Sequence, residues 1–374
     1  MISIFNNVDL SVKNAIGRYE SSLMKPSFCA IANRQSGEDL IGTAGHYQTY
    51  VLIECPLPWD AKVFSSKRIP LELRQYIKAI KAERSIQFLA INRGVSSSAN
   101  SITLMVYENT VPSGMSSGAA PSVPKSITEL ATGYRGYEFQ IDNLTQVVDC
   151  LDAHWQGDRL GKPITQKDIL VCTHGMRDKC CAKFGQPFFR EATQSAKQGK
   201  LPNTRVWRVS HIGGHRFAPT AISLPDGRYY GRLTLSALQS IITRCGSINQ
   251  IRSVYRGWGL LPAPLQVLER QLLLHHGWSW LDYSLTYRTL SDKEPSEGQG
   301  RSLSVEITLN NTLNNEAIAY RATLVQDINN KICTKASCSS AVATPIVKYV
   351  VTECIAVTEV ALAVKQSAQL RKCS

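Results

Sequence analysis

The residues best suited to chemistry lie in two short segments of the middle of the chain. The first segment, CTHGMRDKCC, spans residues 172–181, and the second, SHIGGHRFAPT, spans residues 210–220. Two thiolates and two imidazoles together suit either zinc or an iron–sulfur centre. The sequence therefore predicts a metal site that draws on both segments, with Cys172, His211 and His215 as candidate ligands.

Two neighbouring cysteines, Cys180 and Cys181, compete for the remaining position. Adjacent side chains point in different directions, so only one of the two can share a site with Cys172, and spacing alone does not select it. Gly213 and Gly214 disfavour a helix and predict a tight loop, in which both imidazoles can converge on one metal site.

An alternation of strands and helices is expected to position these ligands. The middle of the chain predicts a strand over 168–172, a helix over 180–198, a strand over 204–210, a hairpin over 219–233 around Pro225-Asp226-Gly227, and helices over 234–244 and 265–276. This order is typical of a thioredoxin-like layout, in which helices pack on the faces of a sheet.

The whole chain is predicted to be of the α/β class, in four regions. Residues 1–110 form an α/β domain, with strands over 49–57 and 84–92 around a helix over 70–83; a thioredoxin-like fold is considered for it too. Residues 111–126 are rich in Ser, Gly and Pro and predict a linker or long surface loop. Residues 127–280 form the thioredoxin-like domain, and residues 281–374 a small β-rich tail of unknown role with an antiparallel pair over 302–310 and 317–326.

Several motifs together resemble the sucrase/ferredoxin-like family of thioredoxin-like [2Fe–2S] ferredoxins. They are CTHG-x-RD-x-CC (172–181), HIGGHRFAPT (211–220), PDG-x-YYGRL (225–233) and RGWGLLPAPLQVLER (256–270), with FCAIANRQSGEDLIGTA (28–44) and VLIECPLPW (51–59) resembling the family's N-terminal half. The resemblance covers about residues 20–275. It implies one [2Fe–2S] cluster, with Cys172 and Cys181 on one iron and His211 and His215 on the other; the family's cysteine spacing selects Cys181. Such ligation is similar in type to a Rieske centre.

The resemblance implies a one-electron carrier, coupled to proton uptake if the ring nitrogens are exposed. Two alternatives stay open: an oxidoreductase that reduces a small molecule at the histidine edge, and a structural zinc module that binds nucleic acid. An electron-transfer protein is favoured over a free-standing enzyme. No pair of carboxylates suggests glycoside cleavage, so the chain is not expected to be a glycosidase.

Four side chains near the ligands in sequence are expected to support the site. Structural hydrogen bonding is favoured for His174, and Asp178 is expected to brace its loop by pairing with Arg177. Arg177 or Arg216 is considered as a hydrogen-bond donor to the cluster or to a partner.

The other cysteines carry no clear ligand pattern. Cys333 and Cys338 are interpreted as incidental thiols, with a disulfide or a secondary metal site as the alternative, and no pattern is assigned to Cys29, Cys55, Cys150, Cys245, Cys354 and Cys373. Eleven cysteines, an odd number, without an export signal favour reduced thiols, so a cytosolic location is expected. Uninterrupted apolar runs of about 18 residues are absent, so no membrane span is predicted.

The net charge of +13 is concentrated in one part of the sequence. Residues 160–260 contain sixteen Lys and Arg against four Asp and Glu. A basic face favours an acidic redox partner, such as a ferredoxin or a flavoprotein reductase. Nucleic acid is disfavoured because no interleaved aromatic platform accompanies the charge. An ordinary solvated surface is the other interpretation, and the oligomeric state is not predicted.

Overall fold

In a computed structural model of the chain, residues 28–94, 101–109, 128–130, 132–158, 161–311 and 317–357 are described. The helices are α1 (Cys29–Gln35), α2 (Leu71–Glu83), α3 (Val147–Gln156), α4 (Lys179–Lys197), α5 (Leu235–Thr243) and α6 (Ala263–His276). Short 3-10 turns cover Val63–Ser65, Leu144–Gln146, His215–Phe217, Ile248–Ile251 and Gly277–Asp282.

Strands form the larger part of the architecture. The first eight are β1 (Thr49–Glu54), β2 (Ile86–Asn92), β3 (Ile102–Asn109), β4 (Thr128–Leu130), β5 (Tyr134–Ile141), β6 (Lys162–Pro163), β7 (Lys167–Cys172) and β8 (Thr204–Val209). The others are β9 (Ala221–Leu224), β10 (Arg228–Tyr230), β11 (Tyr255–Trp258), β12 (Tyr283–Lys293), β13 (Ser302–Asn311), β14 (Ala317–Gln326), β15 (Ile332–Thr334), β16 (Thr344–Ile346) and β17 (Tyr349–Val357).

Ten strands form one mixed sheet in the order β11-β10-β9-β7-β8-β2-β1-β3-β5-β6. The pairs β1·β2 and β7·β8 are parallel, and each is connected through a helix, α2 or α4. An antiparallel contact between β2 and β8, with Ile91 opposite Val209, joins the strands of the N-terminal region to those of the middle region. The same strand–helix–strand unit therefore occurs on both sides of this contact.

Side chains alternate between two cores along the central strands, as the pleat of a strand requires. On β1, Tyr50 and Leu52 belong to one buried cluster, whereas Val51 and Ile53 belong to the other. Helices α2 and α3 cover the second cluster. Helix α4 packs on the first, because its buried residues recur every three or four positions: Cys181, Gly185, Phe188, Ala192 and Ser195.

The C-terminal strands form a second, five-stranded sheet in the order β17-β14-β13-β12-β4. Its inner residues Leu285, Val305 and Ile307 share the larger core with Leu272 and Trp280. Strands β15 and β16 form a separate antiparallel pair. The predicted antiparallel pair over 302–310 and 317–326 is confirmed as β13 and β14.

The predicted α/β class and the order of elements in the middle region are confirmed. The thioredoxin-like assignment and the domain boundaries stay predictions, and the predicted linker 111–126 lies outside the described residues. Within the described ranges, no helix combines the length and the hydropathy that crossing a bilayer requires.

Candidate metal centre

The predicted ligands lie at the carboxyl ends of the parallel strands β7 and β8. Cys172 is the last residue of β7, and His211 follows β8 after one intervening residue. Cys181 lies in the first turn of α4, which starts beside the end of β7. Ligand sites of α/β proteins commonly occupy this edge of the sheet, because loops leave it in several directions.

One glycine allows α4 to approach the end of β7 closely enough to bring the two cysteines together. A Cβ atom added to Gly185 would lie 2.0 Å from the carbonyl oxygen of Cys172. No side chain fits into that space without moving the helix away from the strand. The closeness of Cys172 and Cys181 therefore depends on this helix–strand contact.

Cys172, Cys181, His211 and His215, hereafter the Cys–His group, form a continuous series of contacts. The ligand atoms of Cys172, Cys181 and His211 all lie within 4.8 Å of one another. The Sγ atom of Cys181 is 3.9 Å from Nδ1 of His211, and Nε2 of His211 is 3.4 Å from Nδ1 of His215. Cys181, and not Cys180, is therefore the neighbour of Cys172.

The two buried thiols of the Cys–His group differ in pKa. A hydrogen bond from Cys181 holds the pKa of Cys172 well below its usual range, and His211 adds to this effect. The same hydrogen bond, together with burial, raises the pKa of Cys181. One thiolate is thus favoured before any metal binds, as a metal ligand requires.

The histidine loop is tight, as its two glycines predict. Gly213 and Gly214 both have positive φ angles, +78° and +69°. A Cβ atom on Gly214 would lie 2.5 Å from Nη2 of Arg256. That guanidinium is buried and donates to the carbonyl oxygen of Gly213 at 3.2 Å and to that of Thr43 at 2.5 Å. Arg256, which the sequence analysis did not single out, therefore holds the loop against the N-terminal segment.

His174 positions a ligand through the backbone. The backbone N–H of His211 donates to Nδ1 of His174 at 3.3 Å, while Nε2 of His174 lies 3.0 Å from the carbonyl oxygen of Asp60. The predicted structural hydrogen bonding therefore has definite partners. Burial lowers the pKa of His174, which favours the neutral ring that accepts from His211.

Asp178 braces its loop, but with partners other than Arg177. Its Oδ1 accepts from the backbone N–H of Cys180 at 2.8 Å and so caps α4, and its Oδ2 accepts from the backbone N–H of Cys338 at 2.9 Å. Among the described residues no ion pair joins it to Arg177, which is exposed. Arg216 binds Glu38 through two hydrogen bonds of 2.8 Å.

Three cysteines that the sequence analysis left without a shared role lie together. The Sγ atoms of Cys29, Cys180 and Cys338, hereafter the three-cysteine group, are 3.3 to 3.6 Å apart. Cys338 therefore does have possible metal ligands beside it, which the sequence did not indicate, and the alternative of a secondary metal site gains support over an incidental thiol. The only sequence signal was the doublet of Cys180 and Cys181, since the three members of the group are separated from one another by 151 to 309 residues.

A cavity of about 330 Å³ lies beside the histidine loop. It is lined by the loop residues His211, Gly213 and Gly214 and by the basic side chains of Arg216 and Arg256, among others. One edge of the Cys–His group is therefore open to a small molecule.

The fold and the site define a mixed α/β protein whose cysteine and histidine side chains at the strand ends are compatible with metal binding. The chain belongs to the sucrase/ferredoxin-like family, which it matches over residues 40–257. The predicted family membership is thereby confirmed.

Two curated relatives are similar over shorter stretches. Altered inheritance of mitochondria protein 32 of Meyerozyma guilliermondii is 31% identical over 102 residues, which cover 25% of this chain and 36% of that protein. The protein of the same name of Debaryomyces hansenii is 35% identical over 96 residues, covering 24% and 34%. The matches span about a third of each relative, whose name refers to mitochondria; the cytosolic location expected here stays a prediction. No solved structure matches the chain significantly.

Proposed function

We propose that the chain is a one-electron carrier that holds a [2Fe–2S] cluster through Cys172 and Cys181 on one iron and His211 and His215 on the other. The observation that carries this proposal is the convergence of the ligand atoms of Cys172, Cys181 and His211 within 4.8 Å at the carboxyl ends of β7 and β8. Membership of a ferredoxin-like family supports the same assignment. When bound, the cluster supplies one-electron chemistry.

The residues present fit such a group. Thiolates and imidazoles are the ligands that iron–sulfur centres take in proteins. The buried Nε2 of His215 faces Oδ2 of Asp178 at 3.6 Å. A ligating histidine commonly turns its second nitrogen toward a carboxylate, which fixes the orientation of the ring. Asp178 is therefore assigned the role of orienting His215.

The iron and sulfide content of the purified protein tests the ligand assignment directly. Anaerobically purified protein is expected to contain two irons and two acid-labile sulfides per chain, and to give a rhombic electron paramagnetic resonance signal after reduction with dithionite. Cys181→Ser should lose most of the iron, because it removes one of the two proposed thiolate ligands. Cys245→Ser, at an exposed cysteine outside both groups, is the matched control. Full iron content in Cys181→Ser would contradict the ligand assignment.

The surface beside the Cys–His group suits an acidic protein partner. Met176 is 67% exposed at the tip of the loop, and Arg177, Lys179 and Lys183 are exposed around it. Part of the charge elsewhere in the basic segment is paired inside the protein, since Arg205 pairs with Asp168 and Glu138, and Arg228 with Glu269. Other basic side chains of the segment are exposed outside this loop: Lys162, Arg190, Lys197, Lys200 and Arg252. The exposed basic side chains of the loop are assigned to partner docking because they adjoin the Cys–His group.

The exposed basic side chains of this surface predict that the rate of association with an acidic partner depends strongly on salt concentration. Association with an acidic ferredoxin should slow by about tenfold or more between low and physiological ionic strength, because exposed charges are screened. Lys179→Glu/Lys183→Glu should slow it further at low salt, measured by stopped-flow electron transfer. Lys67→Glu/Lys78→Glu, at exposed positions outside this loop, makes the same change in net charge. Equal slowing by both double variants would contradict a specific docking surface.

A second candidate function is the reduction of a small molecule at the histidine edge, which the cavity beside His211 favours. Turnover with a chemical reductant and without a protein acceptor would distinguish it from a carrier. Widening or filling the cavity by substitution of Gln87, one of its lining residues, should then change turnover without changing iron content.

A further inference from the structure

The three-cysteine group forms a second site beside the Cys–His group. The distances between Sγ atoms are 3.4 Å for Cys29 to Cys180, 3.3 Å for Cys180 to Cys338 and 3.6 Å for Cys338 to Cys29. A carboxylate oxygen of Asp178 completes the set, because its Oδ1 lies 3.9 Å from Sγ of Cys29. All four candidate ligand atoms lie within 4.8 Å of one another.

The four side chains come from three separate segments of the chain and meet in a largely buried place. Cys29 begins α1, Cys180 lies in the first turn of α4, and Cys338 lies in the loop between β15 and β16. Cys29 and Cys180 are fully buried, and Asp178 is nearly so. Three segments that are distant in sequence are thus brought together at their sulfur atoms.

The environment favours negative charge on this group. The backbone N–H of Ala30 donates to Sγ of Cys180 at 3.4 Å. The backbone N–H groups of Cys180 and Cys338 donate to Oδ1 and Oδ2 of Asp178 at 2.8 and 2.9 Å. Donors aimed at a sulfur and at a carboxylate stabilise the anionic forms of both groups, which are the forms that bind a metal ion.

We propose that Cys29, Cys180 and Cys338, together with Asp178, bind one zinc ion at a site distinct from the Cys–His group. Zinc takes thiolate sulfur and carboxylate oxygen in tetrahedral sites. A Zn–S bond of about 2.3 Å in that geometry separates the sulfur atoms by about 3.8 Å. The observed separations are a few tenths of an ångström shorter, so small rotations of the three side chains produce the required arrangement.

Four protein ligands leave no open position, which is typical of a structural zinc site and not of a catalytic one. The ion would clamp the start of α4 to the C-terminal segment. Two further contacts lie in the same region: Asn33 donates to Thr334 at 3.2 Å, and Lys348 pairs with Glu38 at 3.2 Å. The role of the zinc is therefore to fix the helix turn that carries Cys181.

Asp178 connects the two groups. Each carboxylate oxygen has two lone pairs, so an oxygen that accepts a backbone N–H can also bind a metal ion. Its Oδ2 lies 3.6 Å from Nε2 of His215, while its Oδ1 faces the three-cysteine group. Loss of the zinc is thus expected to disturb the orientation of His215, although zinc binding itself does not depend on the proposed electron-carrier function.

Metal analysis of the full chain, purified anaerobically with a reductant, tests the proposal. We expect about one zinc per chain in addition to any iron. Cys338→Ser and Cys29→Ser should lower the zinc at least tenfold, whereas Cys333→Ser, at a nearby exposed cysteine, should leave it unchanged. Absence of zinc, equal loss in all three variants, or a native disulfide between Cys180 and Cys338 found by alkylation and mass spectrometry would overturn the proposal.

X-ray absorption at the zinc edge of the unsubstituted protein gives a test that does not depend on the variants folding. Three sulfur neighbours at about 2.3 Å and one oxygen are expected. Two sulfurs and two nitrogens would place the zinc in the Cys–His group and overturn both proposals. Iron without zinc would refute only the zinc site, and zinc that depends on Cys338 in a protein without iron would refute only the electron carrier.

Discussion

Replacing His211 and His215 together by cysteine is expected to retain a [2Fe–2S] centre and to lower its midpoint potential by several hundred millivolts. A neutral imidazole is exchanged for an anionic thiolate at both positions, so adding an electron becomes harder. Centres with two histidines have potentials of about −150 to +300 mV, against about −400 mV for four-cysteine plant-type ferredoxins. The double variant should approach the lower value in a redox titration followed by absorbance, and each single variant should lie between.

The potential of the unsubstituted protein should also depend on pH. Reduction makes the centre more negative and raises the pKa of the bound rings, so the reduced form holds more protons. Raising the pH therefore disfavours reduction, by about 59 mV per unit where one proton accompanies one electron. The double variant should lose this slope, and His275→Cys, outside both groups, should keep both the slope and the potential. An unchanged potential in the double variant would refute the histidine ligation.

Substitution of Glu269 by Gln is expected to cost about 3–5 kcal/mol of unfolding free energy, because it leaves a buried guanidinium without its anion. Glu269 and Arg228 are both buried, and Nη1 of Arg228 lies 2.5 Å from Oε1 of Glu269. Tyr255 and Trp280 also donate to this carboxylate, each at 2.9 Å. Burial disfavours the charge on Arg228, but Tyr255 and Glu269 hold its pKa above its ordinary value.

The neighbouring residue of the same helix offers the control. Arg270 pairs with Asp39 through two contacts of 2.7 Å near the surface. Asp39→Asn should cost at most about 1 kcal/mol, because solvent screens that pair. Arg228→Met/Glu269→Leu should be less destabilised than Glu269→Gln, since neither charge is then buried alone. Urea unfolding measures the unfolding free energy of all three variants. Equal losses for Glu269→Gln and Asp39→Asn would show that the buried ion pair contributes no more to stability than the exposed one.

The local elements were largely predictable from the sequence. Period-two and period-3.6 patterns led to β7, α4, β8 and the β13–β14 pair, because each pattern records which face of an element is buried. The motifs also led to the family, and the doublet of glycines led to the tight histidine loop. Such features depend on residues that are neighbours along the chain.

The sequence by itself thus determined the α/β class, the family, and the candidate ligands in the two segments around Cys172 and His211. Only the tertiary structure decided that strands from both halves form one sheet, and that Cys181 faces Cys172 while Cys180 faces Cys29 and Cys338. The physical reason is the range of the interactions. Hydrophobic periodicity acts within one element, whereas contacts such as that of Gly185 with the carbonyl of Cys172 depend on packing between elements.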